Sequence, residues 1–176
     1  MPKFRNSSHL LTQRSGCQTI LSKEGKLKRE VSEILDLLSR HDVIFSTGHL
    51  SLQEIMALVE EAKRRKVRKI LVTHPDHLLL AIPVEVQKKL AREGVYFDRC
   101  FPTEETCVLT MEKMGAIIRE VGVFSTVLST DFGQPHNPYP VEGMKAYIRK
   151  LMRQGFTARK IDRMVKVNPA GLLNIG

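Results

Sequence analysis

The chain has 176 residues, enough for one domain with its own core but well short of the ~250 residues of a complete (β/α)8 barrel. The hydrophobic share of 42% and the charged share of 27% are ordinary for a soluble domain, and no apolar run approaches the ~20 residues of a membrane span. A membrane protein is therefore excluded.

The net charge of +9 comes largely from residues 63–69 and 149–166. Residues 63–69 end a predicted helix, where cations complement the dipole, and no aromatic side chains are interleaved to stack on bases, so we do not expect nucleic-acid binding.

The N-terminal region carries little structural signal. Residues 1–24 show almost no periodicity, and we predict a loosely ordered extension followed by one domain over residues 25–176. Three cysteines without a C-x-x-C pair indicate neither a disulfide framework nor a thiolate zinc site. Together with the lack of a secretory apolar core, this predicts a cytoplasmic protein.

The first elements follow from apolar spacing. Leu27–Leu38 has the helical pattern, and Asp42–Thr47 reads as a short apolar strand. Ser51 and Glu54 form a capping box, which predicts a helix starting two residues after His49.

The alternation of strand and helix then repeats. Lys69–Thr73 is the second predicted strand, followed by a helix that Pro83 opens and Gly94 ends. Val95–Cys100 is the third strand, and Thr103 before two glutamates predicts the N-cap of a helix that runs to Val121.

The last unit has the same order. Thr126–Thr130 is the fourth strand, and after a polar loop Val141–Gln154 is predicted as a helix. A short final helix, Ala158–Val167, is expected to stop before Asn168 and Pro169. Four strands, each followed by a helix, predict right-handed parallel βα units, which make an α/β fold equal to half of a (β/α)8 barrel.

Potential metal ligands follow three of these strands. His49, His74 and Asp131 each stand where an apolar strand gives way to a turn. Since the carboxyl ends of parallel strands meet on one face, these side chains are expected to converge there. Imidazole and carboxylate suit zinc first, with manganese or iron as alternatives, and Asp131 could accept a proton from metal-bound water. The alternative is that each residue only caps a strand or closes a turn.

Neighbouring residues extend this hypothesis. His77 and His136 lie in the same loops and are candidates for binding a small-molecule substrate or serving as additional metal ligands, or are simply solvated. Gln134 is a further substrate-binding candidate, the alternative being that its loop is only a rigid connection to the next helix. Cys100 ends the third strand and is either a nucleophile activated by a base or an inert, half-buried thiol.

Four segments carry a family resemblance: DVIFSTGHLS, ILVTHP, LSTDFGQPHNPYPVEG and VNPAGLLNI. With them, the chain from Gly25 onward resembles the C-terminal half of amidohydrolase-superfamily proteins, which are metal-dependent hydrolases on a distorted (β/α)8 barrel. The likeness is to an uncharacterised amidohydrolase-like group.

The resemblance implies specific roles. His49 and His74 would bind metal at the fifth and sixth barrel strands, and Asp131 would be the eighth-strand aspartate that touches metal and acts as the base on an amide, lactone or ester. The chain departs from the family because no His-x-His occurs and the first four strands are missing. We therefore expect either a homo-oligomer or a complementary N-terminal half to complete the barrel. The alternative is an inactive fragment that serves as a binding or assembly module.

Overall fold

A computed structural model of the chain describes residues 19–77, 80–102 and 109–175. The strands are β1 (Ile44–Ser46), β2 (Lys69–Thr73), β3 (Tyr96–Cys100) and β4 (Thr126–Ser129). The α-helices are α1 (Arg29–Arg40), α2 (Leu52–Arg64), α3 (Val84–Arg92), α4 (Met111–Val121), α5 (Pro140–Arg153), α6 (Ala158–Asp162) and α7 (Asn168–Leu173). A 3-10 turn covers Val123–Ser125, and a π-helical turn covers Arg163–Val167. No helix among these residues is long and apolar enough to cross a membrane.

The four strands form one parallel sheet in the order β1-β2-β3-β4. Each strand pairs in parallel with the next strand along the chain, and Thr73 lies opposite Asp98 while Cys100 lies opposite Ser129. The prediction of an α/β fold with four parallel strands is confirmed.

Side chains alternate between the two faces of the sheet. One face is buried under the helices and includes Ile70, Val72, Phe97 and Leu128. Each such side chain contributes roughly 1.5–3 kcal/mol by leaving water. The side chains of the opposite face, here called the open face, are partly exposed. It carries Leu71, Thr73, Tyr96, Asp98, Cys100, Val127 and Ser129.

The capping box predicted before α2 is present. The Ser51 hydroxyl accepts a hydrogen bond from the Glu54 amide, and the Glu54 carboxylate accepts one from the Ser51 amide. Glu54 also accepts hydrogen bonds from the Thr19 hydroxyl (2.6 Å) and the Ile20 amide (3.1 Å). The described part of the predicted extension is thereby tied to the start of α2; residues 1–18 lie outside the described residues.

Two helix boundaries differ from the prediction by more than two residues. The predicted N-cap Thr103 lies outside the described residues, and α4 begins only at Met111, because the Thr110 side chain accepts from the Lys113 amide and caps the helix there. The last helix does not stop before Asn168 and Pro169. Proline is tolerated in a first helical turn, so α7 continues the chain in helical form. The side-chain amide of Asn168 donates to the backbone carbonyls of Val123 (2.8 Å) and Thr126 (2.6 Å).

Candidate metal centre

Four strand ends meet at one rim of the sheet. His49 follows β1, His74 follows β2, Cys100 ends β3 and Asp131 follows β4. His74 and Asp131 adopt left-handed backbone conformations, with φ of 48° and 56°. Residues other than glycine rarely occupy this region. Such a conformation costs of order 1–3 kcal/mol and clusters at functional sites. The side chains of these two residues approach each other, with 3.7 Å between Nε2 of His74 and Oδ2 of Asp131.

The three histidines of the first two loops form a cluster. The ring centroid of His49 lies 5.0 Å from that of His74 and 6.5 Å from that of His77, and the rings of His74 and His77 are 6.1 Å apart. Burial lowers the pKa of His77, and the neighbouring His74 and His49 lower it further. The neutral imidazole, which is the form that binds metals, is therefore favoured for His77.

The two nitrogens of the His74 ring face different groups. Nε2 lies 3.7 Å from Oδ2 of Asp131, whose side chain is 52% exposed. Nδ1 lies 3.0 Å from Sγ of Cys100. His74 itself is 11% exposed, and its amide donates to the Asp98 carbonyl (3.2 Å), which holds the end of β2 against β3.

A compact set of possible ligands surrounds the inner side of His74. Ligand atoms of His74, Asp98 and Cys100 all lie within 4.8 Å of one another. The Ser129 hydroxyl donates to Oδ1 of Asp98 (2.6 Å) and lies 3.0 Å from Sγ of Cys100. Burial raises the pKa of Asp98, while the hydrogen bond from Ser129 and the charge of His74 act in the opposite direction. A cation beside this carboxylate would compensate its loss of water.

Asp98 is not among the site residues predicted from the sequence. It lies inside a strand rather than at its end, and a single acidic residue in a strand is usually solvated. The available signal was the alternation of Tyr96, Asp98 and Cys100, which places the three on one face of β3.

The other two predicted substrate-binding residues lie in the loop after β4. The Gln134 side chain forms its hydrogen bonds within that loop. Its Oε1 accepts from the Gly133 backbone amide (3.2 Å) and from the Asn137 side-chain amide (2.6 Å). Its Nε2 donates to the Asp131 backbone carbonyl (3.2 Å). It therefore stabilises the turn that carries Asp131. His136 is exposed in the same loop. Substrate contact by either residue stays a prediction.

The model of DUF6282, a family of unknown function, matches residues 2–98, which is more than half of the chain. The chain belongs to the DUF6282 family. No curated protein and no solved structure matches it. The matched range includes His49, His74, His77 and Asp98 and ends two residues before Cys100.

A buried ionic network lies beneath the histidine loop of this DUF6282 protein. Arg99, between Asp98 and Cys100, points to the opposite face of β3 and forms an ion pair with Asp76; their side chains are 0% and 4% exposed. Gln87 of α3 accepts from Arg99 (2.7 Å) and donates to Asp76 (3.1 Å) and to the Ile82 carbonyl (2.8 Å). Because Asp76 lies between His74 and His77, this network fixes the loop that presents both histidines.

The loop of Asp131 is anchored by aromatic packing. The Phe132 ring lies 5.4 Å from the ring of Phe101, which in turn lies 5.2 Å from the ring of Tyr147. A small cavity of about 20 Å³ opens beside these groups, and His74, Asp98, Cys100, Phe101 and Asp131 contribute to its lining. The candidate ligands therefore border a space for about one water molecule or a bound ion.

Gly143 of α5 makes this packing possible, because a Cβ at this position would overlap the Phe132 ring. We expect Gly143→Ala to displace that ring and to lower the free energy of unfolding by about 1–3 kcal/mol, measured by urea denaturation. Gly115→Ala is the matched control, since its Cβ would meet only the flexible end of Gln154. Equal losses for the two variants would contradict a fixed position of the Phe132 ring.

Proposed function

We propose that this protein is a metal-dependent hydrolase whose divalent cation (zinc, manganese or iron) is held at the rim of the sheet around His74, with Asp131 as the base that accepts a proton from water. One observation carries the proposal. His74 stands between Asp131 on one side and Asp98 and Cys100 on the other, and the His49 ring lies 5.0 Å away, so metal-ligating side chains from all four strand ends converge on it.

The donor set fits a transition metal. Imidazole nitrogen, carboxylate oxygen and thiolate sulfur are the three ligand types that zinc accepts in proteins. When bound, such a cation lowers the pKa of a coordinated water towards ~7 and polarises a carbonyl oxygen.

The protein's own groups would do the remaining work. The Asp131 carboxylate is half exposed and faces His74, so it can reach both solvent and the rim. His77, Gln134 and His136 would contact the substrate. The resemblance to amidohydrolases suggests an amide, lactone or ester, in which a C–N or C–O bond breaks as water adds to the carbonyl carbon.

We further propose that the sheet is half of a (β/α)8 barrel. In a doubly wound sheet the strand order reverses, whereas here the order follows the chain, as in a barrel. The open face would be the inner face of the barrel, completed by a second copy of the chain or by a complementary half.

A second candidate function, a catalytically inactive binding or assembly module, is favoured by the two edges of the sheet. Among the described strands, β1 and β4 each pair on one side only. Unpaired strand edges promote association with other chains.

Asp131→Asn tests the catalytic proposal against the second candidate. We expect the metal-loaded wild-type protein to hydrolyse members of a panel of esters, lactones and amides. The Asp131→Asn variant should retain its metal but lose about 10²–10⁴-fold in rate.

The matched control is Asp162→Asn, an exposed aspartate of α6, which should leave the rate unchanged. Equal rates for the two variants would contradict the role of Asp131 as base. A metal-loaded wild-type protein that hydrolyses no member of the panel would favour the binding or assembly module.

A further inference from the structure

The third strand presents two possible ligands to the rim. Asp98 and Cys100 are separated by one residue and therefore point to the same face of β3, while Arg99 between them is buried on the other. Both side chains are partly buried; Cys100 lies beside Nδ1 of His74, and Asp98 has a carboxylate oxygen within 4.8 Å of a ring nitrogen of His74.

We propose that Asp98 and Cys100, together with His74, are the metal ligands, so that the site combines an oxygen, a sulfur and a nitrogen donor. This inference rests on the proposed function and specifies its metal site. It differs from the sequence-based ligand set of His49, His74 and Asp131, and it requires only one cysteine, so the lack of a C-x-x-C pair does not exclude it.

The distances between the donors suit one tetrahedral cation. Bonds of about 2.0–2.3 Å place two ligand atoms about 3.5 Å apart. Sγ of Cys100 lies 3.0 Å from Nδ1 of His74 and 4.0 Å from Oδ2 of Asp98, on either side of that value. For these two pairs, shifts of about half an ångström, within the reach of side-chain rotation, would give the expected separation. The third pair, His74 and Asp98, has its ligand atoms within 4.8 Å of each other.

The surrounding hydrogen bonds orient these ligands. Ser129 donates to Oδ1 of Asp98 (2.6 Å) and leaves Oδ2 turned towards Cys100. Asp131 faces Nε2 of His74, the nitrogen that the proposed metal does not use. Carboxylates placed in this way hold a metal-bound histidine in one tautomer and orientation. With the metal on the Nδ1 side, the His74 ring stands between the metal and Asp131, so Asp131 would orient this ligand in place of accepting the proton from the metal-bound water.

The sulfur donor narrows the choice of metal. A thiolate is a soft ligand that favours zinc and its spectroscopic substitute cobalt(II), whereas manganese prefers oxygen donors. We therefore expect zinc among the three metals of the proposed function.

Titration of the full-length, metal-free protein with cobalt(II) under reducing, anaerobic conditions tests this ligand set. The wild-type protein should develop visible d–d bands and a near-ultraviolet sulfur-to-cobalt charge-transfer band. The charge-transfer band should be lost in Cys100→Ser and kept in Cys17→Ser and Cys107→Ser. Asp98→Asn should keep the band but weaken cobalt binding by more than about 100-fold, since loss of a residue that only supports a ligand costs about 10–100-fold.

The possible failures are distinguishable. Cobalt d–d bands without a charge-transfer band in the wild-type protein, or a band that survives in Cys100→Ser, would overturn the thiolate ligand while leaving the proposed metal site in place. Unchanged affinity in Asp98→Asn would overturn the carboxylate ligand. No cobalt binding to the folded wild-type protein would overturn the metal site of the proposed function itself. Circular dichroism of each variant verifies that it is folded.

Discussion

Substitution of Asp76 by alanine is expected to lower the free energy of unfolding by about 3–5 kcal/mol, because it leaves the buried Arg99 guanidinium without its counter-charge. The environment supports a value in this range: the Arg99 side chain is 0% exposed, and its Nε atom has no hydrogen-bond partner in the part of the chain that the structure describes. The other contacts of the guanidinium are a hydrogen bond to the neutral Gln87 amide and the Phe97 ring, 5.4 Å away, and neither carries a charge that would neutralise it.

Urea denaturation followed by circular dichroism measures this loss. Asp42→Ala is the matched control, because the exposed Asp42 also pairs with cations, Arg68 (3.2 Å) and Lys69 (3.0 Å), but in contact with water. It should lose only a small fraction of what Asp76→Ala loses. The double variant Asp76→Leu with Arg99→Met should recover most of the stability, since it removes both buried charges. Similar losses for Asp76→Ala and Asp42→Ala would show that burial of the pair has no special cost.

The positions of the strands along the chain could be predicted because the sequence signals that mark them are local. Lys69–Thr73 was predicted with its observed bounds, and the predicted strand Thr126–Thr130 is one residue longer than observed. Apolar runs and a capping box are legible without knowledge of distant contacts. The start of α4 was not predictable in this way, since Thr103 and Thr110 are both plausible N-caps and the sequence contains no basis for choosing between them.

The candidate site was predictable only in part. The topological rule that parallel strands end on one face brings His49, His74 and Asp131 together, and the structure shows His74 near both of the others. The Arg99, Asp76 and Gln87 network depends on partners 11 to 23 residues apart, in different elements. An arginine within a strand predicts an exposed side chain, and only the fold shows that this one is buried.

Substitution of His74 by alanine is expected to remove the metal from the protein while leaving it folded. His74 belongs both to the ligand set predicted from the sequence and to the compact set seen in the structure, so either arrangement loses its central donor. His74 lies on the rim beyond β2 and belongs to neither of the apolar clusters that the helices cover. The effect on metal content should therefore far exceed the effect on stability.

The most direct test of the metal centre is the metal content of the purified protein, determined by elemental analysis after equilibration with zinc and removal of excess ion. We predict about one zinc per chain in the wild-type protein and in His41→Ala, which removes an exposed histidine before β1, and almost none in His74→Ala. Equal zinc content in His74→Ala and His41→Ala, or a wild-type protein that retains no zinc, would contradict a metal centre at His74.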